Sequence, residues 1–490
     1  MRLADLVREI PGATLRGDPR PEALDISPDS REVGPGFIFA SIAGHQGKGR
    51  DYLDNACQRG AVAVLSSQDN QDTSLPLILV ADPRRALGEA AAALQRHPAR
   101  DLALLGITGT NGKTSTAYIL RHLLRSLGQK VGMLGTIEYD LGGGETHPAP
   151  LTTPDAASFT RHLASMRGHG CQWAVVEVSS HALDQWRVWP HPFRGAIFTN
   201  LTRDHLDYHG SMENYLAAKQ RLFLGLEPTA AAVFNWDDPA APSMAKASPA
   251  RCLGFSLLDT AKTGENQVRV EVSQSSLTGQ TCRLEGAGLT GSFQLPLIGQ
   301  HNVYNAVGAV LLLHQLGLPF PALAQALSDF PGVPGRLERL TTPRGASVFV
   351  DYAHTDDALR SVLKILRPLT RGRLITVFGC GGERDRGKRP LMARAAEDGS
   401  DRVVVTSDNP RTENPEQIFT DILAGFSNPK SATLIPEREQ AVAWAVAAAE
   451  EGDAVLLAGK GHENYQIRGE EKVHLDDREL VRDACRRLGA

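Results

Sequence analysis

Short apolar runs alternate with segments of helical period through most of the chain, and polar or glycine-containing stretches follow many of these runs. The clearest runs, each four to six residues long, occupy positions 102–107, 173–178, 195–199, 347–350, 374–378, 402–405 and 454–458. Runs of this length are typical of buried strands, and helical segments between them are typical of parallel sheets with helices on both faces. The pattern therefore predicts an α/β protein whose ligand sites lie beyond the carboxyl ends of its strands.

One glycine-rich stretch, GITGTNGKTST at 106–116, stands between the strand predicted at 102–107 and a segment of helical period at 116–125. Backbone N–H groups of such a turn bind phosphate oxygens, together with the positive end of the following helix. Lys113 is placed to reach the β- and γ-phosphates, and the hydroxyl of Thr114 or Ser115 to lie near Mg²⁺. The spacing departs from the common phosphate loop, because position 107 is Ile and Gly106 lies one residue too early. We predict that a nucleotide is held by Gly109, Thr110, Asn111, Gly112, Lys113, Thr114 and Ser115.

The length of 490 residues exceeds what one hydrophobic core supports and predicts about three domains. We place the domains at 1–98, 99–336 and 337–490, with a linker at 96–101. The first has no phosphate loop of its own. Its two polar loops, at 27–31 and 44–49, either bind a ligand or are ordinary turns.

Composition and charge argue against several classes of protein. The net charge of −4 gives no electrostatic case for nucleic acid as a partner, and no apolar run approaches the ~18 residues of a transmembrane helix. The first residues lack a secretory apolar segment, so we expect a cytoplasmic protein. Six scattered cysteines without paired metal spacing are expected to be free thiols.

Three residues of the middle region raise the question of a metal site. Glu177 and His205 come at the ends of two predicted strands, where a carboxylate and an imidazole can coordinate a divalent ion that bridges nucleotide phosphates. A lone histidine at a strand end is otherwise a hydrogen-bonded structural residue. Lys219 lies in a predicted helix at 211–223, and its pattern alone indicates a solvated lysine.

Four further polar residues have two interpretations each. Asn302 contacts an adenine or caps the helix that follows it. Arg336 stabilises charge on a transferring phosphoryl group or joins a surface ion pair. Arg384 and Arg411 lie in loops of the last region, where a guanidinium binds a carboxylate in a bidentate manner or makes a surface salt bridge.

Together these features resemble the Mur ligase family over essentially the whole chain. The resemblance rests on TGTNGKT (108–114), EVSSHAL (177–183), TNLTRDHLDYHG (199–210), YLAAKQRLF (215–223), GQHNVYN (299–305), PGR (334–336), DYAHT (351–355), GCGGERDRGKRP (379–390), DNPR (408–411) and GKGHE (459–463). It also accounts for the unusual spacing of the phosphate loop.

The resemblance implies an N-terminal α/β domain that binds UDP, a central P-loop ATPase domain with a mostly parallel sheet, and a C-terminal Rossmann-like domain that binds an amino acid. It implies ATP-driven amide formation through an acyl-phosphate, with Mg²⁺ as cofactor. Lys219 matches the family's carbamylated lysine, which reverses the interpretation from its pattern. Metal binding is implied for Thr114, Glu177, His205 and Lys219, and catalysis for Lys113, Lys219, His205, Glu177 and Arg336.

Ligand-binding positions are implied by the same resemblance. The nucleotide side includes Asn302, Arg336, Asp351 and His354. UDP is implied at Pro28, Ser30, His45, Gln46 and Gly47, and the muramoyl-dipeptide at Thr152, Thr153, Ser179, Gln185, Arg187 and Lys219. The amino acid is implied at Arg384, Asp408, Asn409, Pro410, Arg411, Gly459 and Glu463.

Within the family, the chain looks most like the members that add meso-diaminopimelate to UDP-N-acetylmuramoyl-L-alanyl-D-glutamate in peptidoglycan synthesis, and Arg411 is the candidate that selects the diacid. We expect a monomer whose partners are these two substrates and ATP. A folylpolyglutamate synthetase or another Mur ligase shares the ATPase core, but DNPR at 408–411 and GHE at 461–463 argue against both. A P-loop switch or assembly ATPase leaves the polar strand ends of the last region unexplained.

Overall fold

The computed structural model describes residues 1–42, 52–69, 73–258 and 266–489. The chain forms two compact units, which we describe separately. The first comprises Met1–Glu271, Arg283–Gly291 and Tyr304–Leu327, and the second comprises Val272–Cys282, Ser292–Val303 and Ser328–Ala490.

The first unit begins with a five-stranded sheet. Its strands are β1 (Thr14–Arg16), β2 (Asp25–Ser27), β3 (Phe37–Ala40), β4 (Ala63–Ser66) and β5 (Leu77–Leu79), in the order β1-β5-β4-β3-β2. Only β1 runs antiparallel to its neighbour. The helices of this region are α1 (Leu3–Glu9), α2 (Leu53–Gln58) and α3 (Pro83–Leu94).

Helix α3 shows how local sequence fixes an element here. Asp82 is its N-cap, and the carboxylate accepts hydrogen bonds from the backbone N–H groups of Arg84 and Arg85. Pro83 occupies the first helical position, where a missing N–H costs nothing. The buried alanines that follow pack closely against the sheet beside Ile26 and Leu65.

The phosphate-loop region is built on an eleven-stranded sheet. Its strands are β6 (Ala103–Thr108), β7 (Val131–Leu134), β8 (Glu138–Asp140), β9 (Thr146–Pro148), β10 (Trp173–Glu177), β11 (Gly195–Phe198), β12 (Ala231–Asn235), β13 (Arg251–Ser256), β14 (Gln267–Ser276), β15 (Gly279–Gly286) and β16 (Leu289–Leu295). The order is β16-β15-β14-β13-β12-β11-β6-β10-β7-β8-β9, and the strands from β14 to β7 in this order are parallel. The helices are α4 (Lys113–Ser126), α5 (Ala156–Gly168), α6 (Ser180–Asp184), α7 (Leu206–His209), α8 (Met212–Leu224), α9 (Ala241–Ala247), α10 (Gln300–Gln315) and α11 (Phe320–Ser328).

The last part of the second unit is a six-stranded sheet with helices on both faces. Its strands are β17 (Glu338–Thr341), β18 (Ser347–Asp351), β19 (Leu374–Phe378), β20 (Arg402–Val405), β21 (Ala432–Leu434) and β22 (Ala454–Ala458), in the order β17-β18-β22-β19-β20-β21. The helices are α12 (Asp356–Leu366), α13 (Lys388–Gly399), α14 (Pro415–Leu423), α15 (Arg438–Ala448) and α16 (Asp477–Gly489). One face packs against α12, α13 and α14, and the other against α15 and α16. A hairpin of β23 (Tyr465–Arg468) and β24 (Glu471–His474) precedes α16.

A fully buried ion pair joins three elements of this sheet and its helices. Arg438 donates from Nε and Nη2 to the two carboxylate oxygens of Asp477, at 2.7 and 2.6 Å. Nη2 also donates to the carbonyl of Ala458 at 3.1 Å. Both charged side chains have no exposed surface. The pair therefore fixes the end of β22 relative to α15 and α16.

The α/β prediction is confirmed, and every strand predicted from an apolar run is present within a residue or two of its predicted ends. The predicted linker at 96–101 contains a short 3₁₀ helix, Pro98–Asp101. All six cysteines are free, as predicted. Among the described residues, no helix has both the length and the apolar character needed to cross a bilayer. The domain boundaries at 98/99 and 336/337 stay predictions.

Candidate active site

The phosphate loop lies between the end of β6 and the start of α4, as the sequence predicts. The backbone N–H groups of Thr110 and Asn111 donate to the carbonyl and the side-chain oxygen of Asn200, both at 2.9 Å. Gly112 has φ of 88°, and a side chain there would overlap Asn305. Asn200, in the segment that follows β11, thus holds the loop in place. The backbone N–H groups of the first turn of α4 have no acceptor within the helix.

Two lysine ammonium groups meet at one carbonyl oxygen of this loop. Lys113 Nζ donates to the carbonyls of Gly109 and Thr110 at 2.9 and 2.8 Å. Lys219 Nζ, from α8, donates to the same Gly109 carbonyl at 2.8 Å. Like charges at one acceptor repel each other, so an anionic group in this place would be stabilised by both lysines.

Lys219 is 1% exposed, so the prediction of a solvated helix lysine, made from its pattern alone, is wrong. Burial lowers the pKa of Lys219 well below its ordinary value, and Lys113 lowers it further. The ammonium also lies 4.5 Å from the ring centroid of Tyr215, whose hydroxyl is 3.2 Å from the Thr110 hydroxyl. Burial and the charge of Lys113 thus act against the protonated form of Lys219, whereas the contact with the Tyr215 ring acts in its favour.

Glu177 is the last residue of β10 and is completely buried. Its carboxylate accepts a hydrogen bond from the Thr114 hydroxyl at 2.9 Å and from the Thr136 backbone N–H at 2.9 Å. Burial raises the pKa of Glu177, whereas these donors and the charge of Lys113 act in the opposite direction. The structure thus joins Thr114 and Glu177, two predicted metal ligands, through their oxygens.

His205 lies farther along the same region and is half exposed. It has φ of 52° and precedes α7. Its ring is 4.9 Å from that of His181 and 6.1 Å from that of Tyr215, measured between centroids. Within the described ranges, no group of three or more His, Cys, Asp or Glu side chains forms a ready metal site. The carboxylate of Glu177 and the hydroxyl of Thr114 nevertheless are the oxygen ligands that Mg²⁺ prefers.

Five of the six residues implied for the muramoyl-dipeptide belong to one hydrogen-bonded network, whereas Lys219 lies at the phosphate loop. The Thr153 hydroxyl donates to the Glu177 carbonyl at 2.7 Å and accepts from the Ser179 backbone N–H at 3.1 Å. Arg187 donates to the Thr153 carbonyl at 3.0 Å and to the Gln185 side-chain oxygen at 2.8 Å. Burial lowers the pKa of Arg187, which indicates a partly desolvated cation. Thr152 connects to this network through the Thr136 hydroxyl, at 3.1 Å.

Arg187 and Gln185 also line a cavity of about 230 Å³ within the first unit. The other lining residues are Pro28, Ile42, Arg84, Leu87, Asp155 and Ala156. Pro28 is one of the residues implied for UDP, and Ser30 lies buried nearby in sequence. His45, Gln46 and Gly47 lie outside the described residues, so their places stay predictions.

In the second unit, Arg336 lies beside the ring of Tyr352, the residue that follows Asp351. The guanidinium of Arg336 is 5.2 Å from the Tyr352 ring centroid. The Asp351 carboxylate accepts from the backbone N–H groups of Leu337 and Ala353, at 2.8 and 2.9 Å, and burial raises its pKa. His354 is exposed, and its Nδ1 lies 2.9 Å from the Tyr352 carbonyl.

Asn302 lies inside the first turn of α10, because the helix begins at Gln300. Its side-chain amide donates to the Ile298 carbonyl at 2.9 Å, and the residue is 3% exposed. This placement contradicts the alternative in which Asn302 is the N-cap.

Two strand-end loops of the six-stranded sheet carry most of the residues implied for the amino acid. Asp408, Asn409 and Pro410 are buried after β20, and Arg411 donates to the Gly382 carbonyl at 2.7 Å. Asn409 Nδ2 donates to Glu463, in the loop after β22, at 3.0 Å. Gly459 has φ of 112°, and a side chain there would press on Asp408. Arg384 lies on the exposed loop after β19.

Sequence reasoning missed several residues of this site. Thr136 follows β7 and binds Glu177, and the same rule of polar strand ends would have identified it. Asn305 belongs to a recognised motif, but nothing in the pattern says that it packs on Gly112. Arg84 is the second residue of α3, and only the tertiary structure directs it to a cavity.

Three family models match consecutive parts of the chain. They are the catalytic domain of the Mur ligase family at 25–95, the Mur ligase middle domain at 107–313, and the Mur ligase glutamate ligase domain at 335–461. A UDP-N-acetylmuramoyl-L-alanyl-D-glutamate–2,6-diaminopimelate ligase of Thermosynechococcus vestitus is 44% identical over 95% of this chain and 93% of its own length. The chain belongs to the Mur ligase family.

Other Mur ligases are similar over the full length. The 2,6-diaminopimelate ligase of Geobacillus thermodenitrificans is 38% identical over 99% of both chains. A solved structure of a 2,6-diaminopimelate ligase has a TM-score of 0.77 and 34% identity, and the match covers 100% of this chain and 99% of the other.

A folylpolyglutamate synthase of Mycobacterium tuberculosis has a TM-score of 0.55 and 21% identity. The match covers 76% of this chain and 91% of the synthase, and it shows a shared fold alone.

Proposed function

We propose that this Mur ligase adds meso-diaminopimelate to UDP-N-acetylmuramoyl-L-alanyl-D-glutamate, with ATP as co-substrate. The observation that carries the proposal is the convergence of Lys113 and buried Lys219 on the Gly109 carbonyl, beside the Thr114–Glu177 pair. A nucleotide-binding module without phosphoryl chemistry gives no reason for a second, desolvated lysine at its phosphate loop. The full-length likeness to relatives named for this reaction supports the choice of substrates.

The chemistry requires activation of a carboxylate, since a carboxylate is a poor electrophile. In the proposed reaction, a substrate carboxylate oxygen attacks the γ-phosphorus of ATP, and ADP leaves. The amine of the incoming amino acid then attacks the acyl-phosphate carbonyl, which releases phosphate and a proton. Lys113 stabilises the charge on the transferring phosphoryl group, and Arg336 is proposed to do the same.

Thr114 and Glu177 are the residues proposed to hold Mg²⁺, with His205 and a modified Lys219 as further ligands. Mg²⁺, when bound, offsets charge on the phosphate oxygens. The oxygen donors at Thr114 and Glu177 fit this ion, and the lysine amine alone does not.

Carbamylation would give Lys219 the oxygen ligands for Mg²⁺ that its amine lacks. The neutral amine attacks carbon dioxide, a new N–C bond forms, and one proton is released to solvent. Burial favours the neutral amine that this step needs. The product is an anion, and the adjacent Lys113 stabilises it.

Separate groups are proposed to hold the two organic substrates. The UDP-linked acceptor substrate lies along Thr153, Ser179, Gln185 and Arg187. The partly desolvated guanidinium of Arg187 suits a carboxylate of this substrate. The amino acid lies against Asn409, Arg411 and Glu463. That the enzyme is a monomer and that it acts in the cytoplasm both stay predictions.

An assay of ADP formation tests the proposal. We expect ADP to form at an appreciable rate only when ATP, UDP-N-acetylmuramoyl-L-alanyl-D-glutamate and meso-diaminopimelate are all present, in an amount equal to the tripeptide product. ATP turnover that ignores both organic substrates would indicate a switch or assembly ATPase. Turnover with a folate substrate and glutamate would indicate the folylpolyglutamate reaction.

A further inference from the structure

We propose that Lys460 is a positioning residue for the amino-acid site, one that fixes Glu463 and Asn409 in the orientation that receives the substrate. The inference rests on the proposed function, because it assigns these two side chains to the amino acid. Lys460 itself lies behind them and does not touch the substrate.

The contacts of Lys460 join two strand-end loops. Its Nζ donates to the Glu463 carboxylate oxygen Oε2 at 3.2 Å and to the Asn409 side-chain oxygen at 3.3 Å. Asn409 Nδ2 donates to the same Oε2 at 3.0 Å, which closes a triangle of three polar side chains. Asn409 comes from the loop after β20, and the two charged residues come from the loop after β22.

Burial separates Lys460 from a direct binding role. The lysine side chain has no exposed surface, whereas 17% of the Glu463 side chain is exposed. Its ammonium lies 5.6 Å from the ring centroid of Tyr465, which covers it from the β23 strand. A buried ammonium needs a carboxylate partner and hydrogen bonds, and here Glu463 and Asn409 supply them.

This arrangement determines how Glu463 meets a ligand. Both donors reach Oε2, so Oε1 takes no part in the triangle and is the oxygen that we assign to the substrate ammonium. Removing the Lys460 charge leaves Oε2 with one of these two donors, Asn409 Nδ2, and loosens the orientation of the carboxylate. The Asn409 side-chain oxygen keeps one partner, the Ile467 backbone N–H at 3.0 Å.

The test compares Lys460→Met with wild type, and Lys472→Met is the matched control. Lys472 also lies over the Tyr465 ring, at 3.6 Å from the centroid, but it is on the exposed strand β24. For Lys460→Met we expect the KM for meso-diaminopimelate to rise by about ten-fold or more, since one partner of a buried charged pair is lost. The KM values for ATP and for the UDP-linked acceptor should stay within about two-fold, and Lys472→Met should leave all three unchanged.

A double-mutant cycle separates positioning from general damage. Because Lys460 acts through Glu463, Lys460→Met combined with Glu463→Gln should raise the amino-acid KM little beyond Glu463→Gln alone. Two fold-changes that multiply would mean that Lys460 acts independently, which overturns the proposal. An unchanged amino-acid KM in a destabilised Lys460→Met enzyme would overturn it as well, as would equal rises for all three substrates.

Two further results keep the test decisive. If Lys460→Met does not fold, Lys460→Arg takes its place, since it keeps the charge but moves the donors, and the same selective rise in amino-acid KM is expected. A wild type that forms ADP without requiring any amino acid contradicts the proposed function itself. An amino-acid-dependent wild type whose Lys460 variants keep their KM contradicts only the positioning role.

Discussion

At the scale of single residues, burial decides what charged side chains do. Lys219 and Glu177 are both buried at the phosphate loop. Burial lowers the pKa of the lysine and raises that of the glutamate, and both shifts favour the uncharged form. The position of Glu177 was predictable, because a polar residue that ends an apolar run lies at the ligand edge of a parallel sheet. The burial of Lys219 was not, because helical period alone does not say that α8 places this position against Gly109 and Tyr215.

Replacing Lys113 tests the phosphate loop. Lys113→Ala removes a cation that both organises the loop carbonyls and reaches the phosphates, so ATP turnover should fall by on the order of 10²-fold or more. The circular dichroism spectrum should be unchanged. Lys246→Ala, on the exposed face of α9, should keep full turnover. Near wild-type turnover in Lys113→Ala would refute the assignment.

Replacing Lys219 tests the carbamate. Lys219→Ala should be nearly inactive, and short-chain carboxylic acids such as acetate should partly restore activity by supplying the missing carboxylate. The same acids should not restore Lys113→Ala, which lacks a cation and not an anion. Full activity of Lys219→Ala in buffer depleted of bicarbonate would rule out the carbamate.

At the scale of elements, the strands follow directly from the apolar runs, since a strand buried on both faces needs no polar alternation. The side-chain contacts that fix the ends of these strands do not follow from the pattern of apolar residues. Arg438 and Asp477 are 39 positions apart and would each be assigned to the surface by residue type. Only the packing of α15 and α16 on the same face of the sheet brings them together, so the sequence alone does not predict the pair.

This pair makes a prediction about stability. Arg438→Met leaves Asp477 buried and unpaired, which should cost about 3–5 kcal/mol of the free energy of unfolding. Arg360→Met breaks an ion pair with Asp398 in which both side chains are more than half exposed, and it should cost about 0–1 kcal/mol. Urea unfolding of both variants checks the contrast. Equal effects would mean that the buried pair has no special role.

At the scale of the whole molecule, the positions predicted for UDP, the muramoyl-dipeptide and the amino acid each lie within one unit, whereas those predicted for the nucleotide are divided between the two. The phosphate loop, Glu177 and Arg187 belong to the first, and Arg411 and Glu463 belong to the second. Resemblance of motifs identified these groups before the structure did. The internal bonds that fix each group, such as Arg187 to Thr153 or Lys460 to Asn409, required coordinates, because they join segments far apart in sequence.

The choice of amino acid is the central claim about the whole enzyme. Meso-diaminopimelate and L-lysine differ by one carboxylate at the far end, so selection needs a fixed cation there. Arg411 is half-buried and anchored through the Gly382 carbonyl, which holds its planar group in place.

The most direct measurement is the ratio of kcat/KM for meso-diaminopimelate and L-lysine, in wild type, in Arg411→Ala and in the exposed control Arg402→Ala. Wild type and the control should prefer the diacid, and Arg411→Ala should lose on the order of 10²-fold of that preference. A wild type that prefers lysine, or an Arg411→Ala enzyme that keeps the full preference for the diacid, would contradict the assignment.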